Sequence, residues 1–451
     1  MTILPMSACA LSDRQRAKLS QIEQEFAVST DQLQAIVKRI HVELSLGLKS
    51  DSVSSLRMSP SFVHQRTTPS GTALGMGIEA SGRRIRITSA QFSSDDASVS
   101  HTSTQVFVAP PAVTRSKSIS AFFEYTAFCL REFIQAQGLD HQTLPLGITI
   151  GLPISGEASV NEQSKEDSLD LCGKNVARRL CDTFLRGRLP VRVTSVTNSV
   201  VSTLVAARHE NKTTRIAASF NRGINAAYFE RLANVELLNQ PAATLDNAFV
   251  AIDTEIGRFS SSALPLTQWD HRVDRESKHP GARAFEKLVA DQYLGEIVRN
   301  LITDLMDERL LFALRADART ISTEYSFHTA YMAPIIESEE AAAAILENEF
   351  GMATSEADRQ IVRALCEIVA NRSALLAGAM LAALVQKTRT GDGAPPAVAL
   401  SGVLFDVNQK LASDAVNTMQ SLLAHKSSAV EVRFQRRGSE GLGAAINAAS
   451  I

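Results

Sequence analysis

Ala73-Leu-Gly-Met-Gly-Ile-Glu-Ala-Ser-Gly-Arg-Arg-Ile-Arg-Ile-Thr-Ser-Ala-Gln-Phe92 sets apolar side chains two apart, Leu74, Met76 and Ile78 before Ser81-Gly82 and Ile85 and Ile87 after it. A period of two on either side of small turn residues is the pattern of a β-hairpin. Downstream we expect a third strand at Gln105 to Ala109, a long amphipathic helix from Ile119 to Gln137, the strand Leu146 to Ile150, a helix from Val176 to Phe184, the strand Val191 to Val196 and a helix after Asn198. The same order then restarts. A hairpin from Arg215 to Glu230 turns near Asn221-Arg222-Gly223, and a third strand follows at Phe249 to Ile252. Helices over Pro280 to Leu314 and Asp358 to Lys387, strands at Ala397 to Leu400 and Val430 to Phe434, and a short helix from Gly441 complete the second copy. The repetition implies an internally duplicated α/β fold with a cleft between copies. Ahead of the first copy, helices are expected over Ser12 to Ala27 and after the capping pair Ser29 and Gln32, the second closing on a left-handed Gly47.

Composition narrows the function classes. The chain has 451 residues, 45% hydrophobic and 21% charged, enough for two cores of ordinary size. With 46 Lys plus Arg against 48 Asp plus Glu, the net charge of -2 provides no general drive toward nucleic acid or anionic membrane. Five cysteines without CxxC spacing and nine histidines without an HExxH pair suit reduced thiols and no metal centre. No apolar run approaches the roughly 18 residues of a membrane helix, and Met1 to Asp13 lacks a basic leader, so an intracellular, cytoplasmic protein is expected. Gly75, Gly77 and Ala80 imitate a dinucleotide fingerprint, but a hairpin follows them where that motif needs a helix. No P-loop and no GxSxG elbow occur.

The stretch Leu264-Pro-Leu-Thr-Gln-Trp-Asp270, with Asp274, Ser277, Pro280-Gly281, Phe285-Glu286-Lys287 and Tyr293-Leu294-Gly295-Glu296, closely resembles a signature of eukaryotic hexokinases. The resemblance extends from Leu46-Gly47-Leu48, Met58-Ser59-Pro60 and Phe62-Val63 through Asn225 to Tyr228 and Glu255-x-Gly257-x-Phe259 to Gly441-Leu-Gly-Ala-Ala445. It implies a duplicated actin-like, ribonuclease-H-like ATPase fold whose small and large lobes close over hexose, with ATP and magnesium entering the same cleft. On that plan, residues 1–13 are a flexible N-terminus and 14–59 a helical segment on the large lobe. Residues 60–198, completed by 439–451, form the small lobe, and 199–438 the large lobe.

Carried over one at a time, Asn198, Asn225, Glu255 and Glu286 match positions that hydrogen-bond hexose hydroxyls in the relatives. Carboxylates and side-chain amides suit that task because they offer several acceptors and donors to a ring of hydroxyls. Asp253 stands where the family has Asn. The family's Asn-Asp pair, whose acid takes the proton of the attacking hydroxyl, reads Asn198-Ser199 here. A serine hydroxyl cannot take up that proton at neutral pH, so general-base catalysis, ~10² to 10⁴ in rate, has no provider at this position. No Asp or Glu lies between Asp182 and Glu210 to replace it. Gly151 replaces a sugar-facing serine, and the threonine- and lysine-bearing loop of the relatives is missing after Leu152-Pro153.

The resemblance also assigns a degenerate nucleotide site. Its first turn, Asp-Leu-Gly-Gly-Thr-Asn in relatives, reads Glu79-Ala80-Ser81-Gly82-Arg83-Arg84; Glu79 can still reach a hydrated metal, and arginines bind phosphate. The second, Gly-Thr-Gly-Thr-Asn, has become Asn221 to Asn225 and keeps only Gly223. Near the adenosine position, Ser401-Gly402-Val403 replaces Asp-Gly-Ser, and a turn with Gly441 and Gly443 remains family-like. With these changes the chain resembles the atypical hexokinase-like regulatory proteins of filamentous fungi, linked to nutrient sensing and control of extracellular protease production. That likeness implies a non-catalytic chain needing no cofactor, weakly binding a hexose such as glucose and read by a regulatory protein partner. A slow Mg-ATP-dependent hexose 6-phosphotransferase using Glu79, Glu255 or solvent as base is the alternative. A structural module that binds no sugar is a third.

Overall fold

The computed structural model describes residues 11–450 apart from 51–53, 65–67, 80–82, 115–118, 152–175, 239–247, 313–318, 390–395, 424–429 and 437. The expected flexible N-terminus lies almost wholly outside the described residues, as do Ser81, Gly82 and the loop after Gly151. Strands run in the order β1 (Ser59–His64), β2 (Gly71–Ile78), β3 (Arg84–Phe92), β4 (Val99–Val108), β5 (Leu144–Ile150) and β6 (Val191–Asn198). They continue with β7 (Thr214–Phe220), β8 (Ile224–Arg231), β9 (Phe249–Asp253), β10 (Ala397–Ser401) and β11 (Val432–Phe434).

Two sheets result, β4-β3-β2-β5-β6 and β1-β9-β8-β7-β10-β11. In the first, β2 pairs antiparallel with β3 and parallel with β5; in the second, β7 pairs antiparallel with β8 and parallel with β10. The outer strands match too, β4 and β9 antiparallel, β6 and β11 parallel. Apart from β1, the copies share one topology, which is the duplication that the hairpins announce.

β1 is the departure. It pairs antiparallel with β9, Ser59 opposite Asp253 and Pro60 opposite Ile252, so residues 60–64 extend the second sheet rather than the first. Pro60 marks an edge strand, where a missing N–H breaks no central ladder. A single long helix over Pro280 to Leu314 is also not found. Ala284–Val289 and Asp291–Asp307 are separate helices, broken at Ala290, whose ψ of 146° is extended. Gly47 caps its helix right-handed (φ -67°), and its small size serves contact, since a Cβ there would lie 2.5 Å from Met58 Cγ.

The helices Asp13–Phe26 and Thr30–Leu46 bury Ile22, Phe26, Ile36 and Ile40 in the second sheet's core, which also holds Trp269 and Leu376. Arg372 is fully buried there, bonding both carboxylate oxygens of Asp270 at 2.6 and 2.7 Å and lying 4.2 Å from the Phe26 ring centroid. Lys287 is likewise taken up by Asp274 and the carbonyls of His279 and Ala282. The signature stretch is therefore largely a set of internal locks. The helix Glu356–Thr388 has the length and apolarity to cross a membrane, but 89% of its most apolar window is buried against protein.

Between the sheets lie two short helices, Ser199–Glu210 and Ser439–Ala449, and Val201, Leu204, Ala217, Phe229, Ala445 and Ile446 form a third core there. Contact is too close for side chains at Gly75, Gly147 and Gly443. A Cβ on Gly75 would fall 1.9 Å from the Gly441 carbonyl oxygen, and one on Gly443 would fall 1.8 Å from that of Ser202. Gly75 is thus a helix-packing position, and a hairpin does follow it, as the rejection of a dinucleotide fingerprint requires.

Candidate functional site

The second-copy hairpin turns at residues 221–223, and Asn225 is the second residue of β8, opposite Ser219. Its side-chain N–H donates to Asp253 Oδ1 at 2.7 Å, and its side-chain oxygen accepts from the Ala226 N–H at 2.8 Å. Asp253 ends β9 and is 3% exposed. Burial, then the negative charge of Glu255, pushes its carboxyl up to about 7, while the Asn225 bond, the Glu255 N–H and Arg57 pull the other way. This acid changes charge near neutrality.

Glu255 adopts a left-handed backbone, φ 47°, uncommon for a residue with a side chain and a sign of local strain held by its surroundings. Its carboxylate sits between Arg57 at 3.7 Å and Arg258 at 3.4 Å. Glu286, on Ala284–Val289, faces Arg283 at 3.2 and 3.4 Å, and Arg283 too has a positive φ of 56°. Burial works against the Arg283 charge, but Glu286 and Glu255 more than offset it and hold the guanidinium above its ordinary pKa. Glu286 Oε2 closes over two glycines, 2.7 Å from where Gly223 would carry a Cβ and 2.8 Å from the same point on Gly257. Asn225, Asp253, Glu255 and Glu286 thus converge on the turn, with a guanidinium beside each glutamate. The motif reading did not include these arginines; Arg258 and Arg283 were signalled by a basic residue three positions from each glutamate, whereas Arg57 is far from Glu255 in the sequence.

Asn198 ends β6 and caps Ser199–Glu210, its side-chain oxygen accepting from the Val200 N–H at 2.9 Å. Ser199 is the first helical residue, and its carbonyl accepts from Thr203 Oγ1 at 2.9 Å. Asn198 therefore ends a strand of the first sheet and Ser199 opens the helix that follows it, whereas Asn225 and Asp253 lie on strands of the second sheet. Gly151, at the end of β5, donates its N–H to the Ile78 carbonyl at 3.0 Å.

At the second expected nucleotide turn, a side chain already uses a backbone N–H that a phosphate would want. Asn221 donates to Ser219 Oγ at 2.8 Å and accepts the Val403 N–H at 3.0 Å, tying the turn to the segment after β10. Its carbonyl accepts from the Asp291 N–H at 3.2 Å. Gly402 has φ 127°, and a Cβ there would lie 2.2 Å from the Phe220 carbonyl oxygen. Phe220 in turn stacks on Phe405 at 4.1 Å between centroids. At the first turn, the Glu79 N–H donates to the Arg84 carbonyl at 3.1 Å, and the Arg83 carbonyl accepts from the Ala109 N–H. Gly441 and Gly443 are not on a turn: both are buried inside Ser439–Ala449, where their lack of a side chain admits Thr88 of β3 and the neighbouring helix. The turn before that helix holds Gly438, φ 96°. Among the described residues, no group of three or more His, Cys, Asp or Glu is placed to hold a metal ion.

Two family models, both described as hexokinase, match residues 18–209 and 215–450. Hexokinase-2 of Candida albicans is 28% identical over 384 residues, covering 82% of this chain and 78% of the relative. Hexokinase-2 of Solanum tuberosum is 28% identical over 458 residues, covering 97% and 91%. Among solved structures, the hexokinase from Schistosoma mansoni complexed with glucose superposes with a TM-score of 0.84 at 26% identity, over 97% of this chain and 99% of that one. A second crystal structure of hexokinase gives 0.79 at 23% identity, over 97% and 100%, a likeness of fold.

Proposed function

This chain belongs to the hexokinase family, and from that premise we propose that it is a non-catalytic, regulatory member that senses hexose through a degenerate cleft. The carrying observation is Ser199, the first residue of its helix, in the place where relatives present the acid that takes the sugar's proton. Phosphoryl transfer is mostly positioning and electrostatics, and here the positioning groups are committed elsewhere. Asn221 uses the Val403 N–H, so a phosphate at that turn has to displace a side chain already bonded there. Glu255 and Glu286 keep the oxygens a hexose needs, but each is held by arginine, so sugar hydroxyls compete with a charge-assisted bond. Weak binding of a hexose such as glucose follows, with Asn198, Asn225, Glu255 and Glu286 as its ligands. On this reading the chain works without Mg-ATP. Its output is a protein partner that distinguishes open from closed lobes, as the likeness to the fungal regulatory proteins suggests.

The test uses purified full-length protein free of host kinase. Glucose 6-phosphate formation from Mg-ATP and glucose is expected at background, while calorimetry detects weak glucose binding that Glu286→Gln removes. Formation at ordinary kinase rates overturns the non-catalytic reading, and absence of any glucose heat overturns the sensing one.

A specific observation favours a second reading. Asp253, bonded to Asn225 and titrating near neutrality, has the acidity of a general base. A slow hexose 6-phosphotransferase using it shows activity that rises with pH through about 7 and vanishes in Asp253→Asn.

A further inference from the structure

β4 lies at one edge of the first sheet, and among the described residues no strand pairs with its outer side. Its register sets Val106 opposite Arg86, Thr104 opposite Thr88 and Thr102 opposite Ala90. The Ala109 N–H donates to the Arg83 carbonyl, so odd-numbered residues of the ladder face β3. Alternation in an antiparallel pair then points the N–H and C=O groups of Thr102, Thr104 and Val106 away from the sheet. The Val108 carbonyl, also outward, accepts from Tyr125 Oη at 3.0 Å. Thr102 and Thr104 are exposed, Val106 is 46% exposed and Val108 66%.

Edges of this length are ordinarily guarded by lysine, proline, a bulge or a covering element. The run Val99–Val108, Val-Ser-His-Thr-Ser-Thr-Gln-Val-Phe-Val, contains no Lys, Arg, Asp, Glu or Pro, and pairs regularly from His101 to Val108. Threonine, valine and phenylalanine are good strand formers. Charge is confined to the ends, with Asp95 and Asp96 just before the strand and Arg83 and Arg84 beside its far end.

We propose that β4 is a self-association edge, on which a second copy of this chain adds its own β4 antiparallel and joins the two five-stranded sheets into one of ten. A two-fold axis at Thr104 sets Thr104 opposite Thr104 and Thr102 opposite Val106, pairs that suit a sheet, with no like charges facing. The same antiparallel arrangement brings the Asp95-Asp96 end of each copy toward the Arg83-Arg84 end of the other. This self-complementarity of charge selects a second copy over an unrelated extended segment. Two joined edges bury less than a standard interface, so the association is reversible and depends on concentration.

Sedimentation velocity of the full-length chain between about 1 μM and about 100 μM, the range of a weak complex, is expected to show a monomer passing into a dimer. Val106→Lys puts a charge on the exposed face, and Thr102→Pro removes an outward N–H without touching the ladder to β3. Both variants are expected to stay monomeric across the range while melting at the wild-type temperature. A wild-type chain that remains monomeric throughout overturns the proposal, and so does a dimer that survives both substitutions in folded protein.

Discussion

Asn225 hands its side-chain N–H to the carboxyl of Asp253 across 2.7 Å, so an amide of the proposed sugar site is tied to an acid that changes charge near neutral pH. That one contact sets the first prediction.

Asp253 is protonated more readily folded than unfolded, its carboxyl rising from 3.8 to about 7. The folded state therefore gains from protonation below the unfolded value, and this advantage is lost as pH rises to about 7. Asp253→Asn removes the burden of a buried charge, so its melting temperature relative to wild type is expected to improve steadily from pH 4 to pH 8. Parallel melting curves across that range would show that the carboxyl is already stably ionised.

Restoring the acid at the base position is expected to restore little. Ser199→Asp, assayed for glucose 6-phosphate with Mg-ATP, is expected to rise less than about 10² above background, because one general base supplies at most ~10² to 10⁴ and Asn221 still occupies the second turn. Turnover at ordinary kinase levels would place the defect in Ser199 alone.

Asn221→Gly frees the Val403 N–H and removes a side chain from the turn. Equilibrium binding of ATP or ADP, undetectable in the wild type on this reading, is expected to become measurable and to strengthen when Arg222→Thr is added. Unchanged nucleotide binding in both variants would mean that Asn221 does not obstruct the turn.

In the core, Arg372→Leu leaves Asp270 buried without its bidentate partner. Removing one member of such a pair costs about 3–5 kcal/mol. Urea denaturation is expected to show a midpoint lowered accordingly, whereas the double change Arg372→Leu with Asp270→Leu recovers much of the loss. Equal losses in the single and double variants would show that packing, not the stranded charge, sets the cost.

Much of the fold was readable because its signals are local. Leu74, Met76 and Ile78 alternate as a strand must, Ser29 and Gln32 do form their capping box, and the second hairpin turns where Asn221-Arg222-Gly223 indicates. What escaped was long-range. β1 follows a helical segment and precedes the first hairpin, and only its pairing with β9, about 190 residues away, decides which sheet takes it. Gly441 and Gly443 read as a turn because glycine ordinarily marks one, yet here it lets two helices and a strand approach.

By itself, the order of residues determined the duplicated topology, the family and the serine that follows Asn198, since each rests on pattern or on the identity of one side chain. Tertiary structure alone decided what else surrounds the remaining polar groups: Arg57 beside Glu255, Asn221 bonded to Val403, and Asp253 buried with its carboxyl pushed up to about 7. The physical reason is that hydrogen bonds, charge pairing and desolvation depend on distance in space, and residues 57, 221, 255, 283 and 403 become neighbours only once the chain has folded.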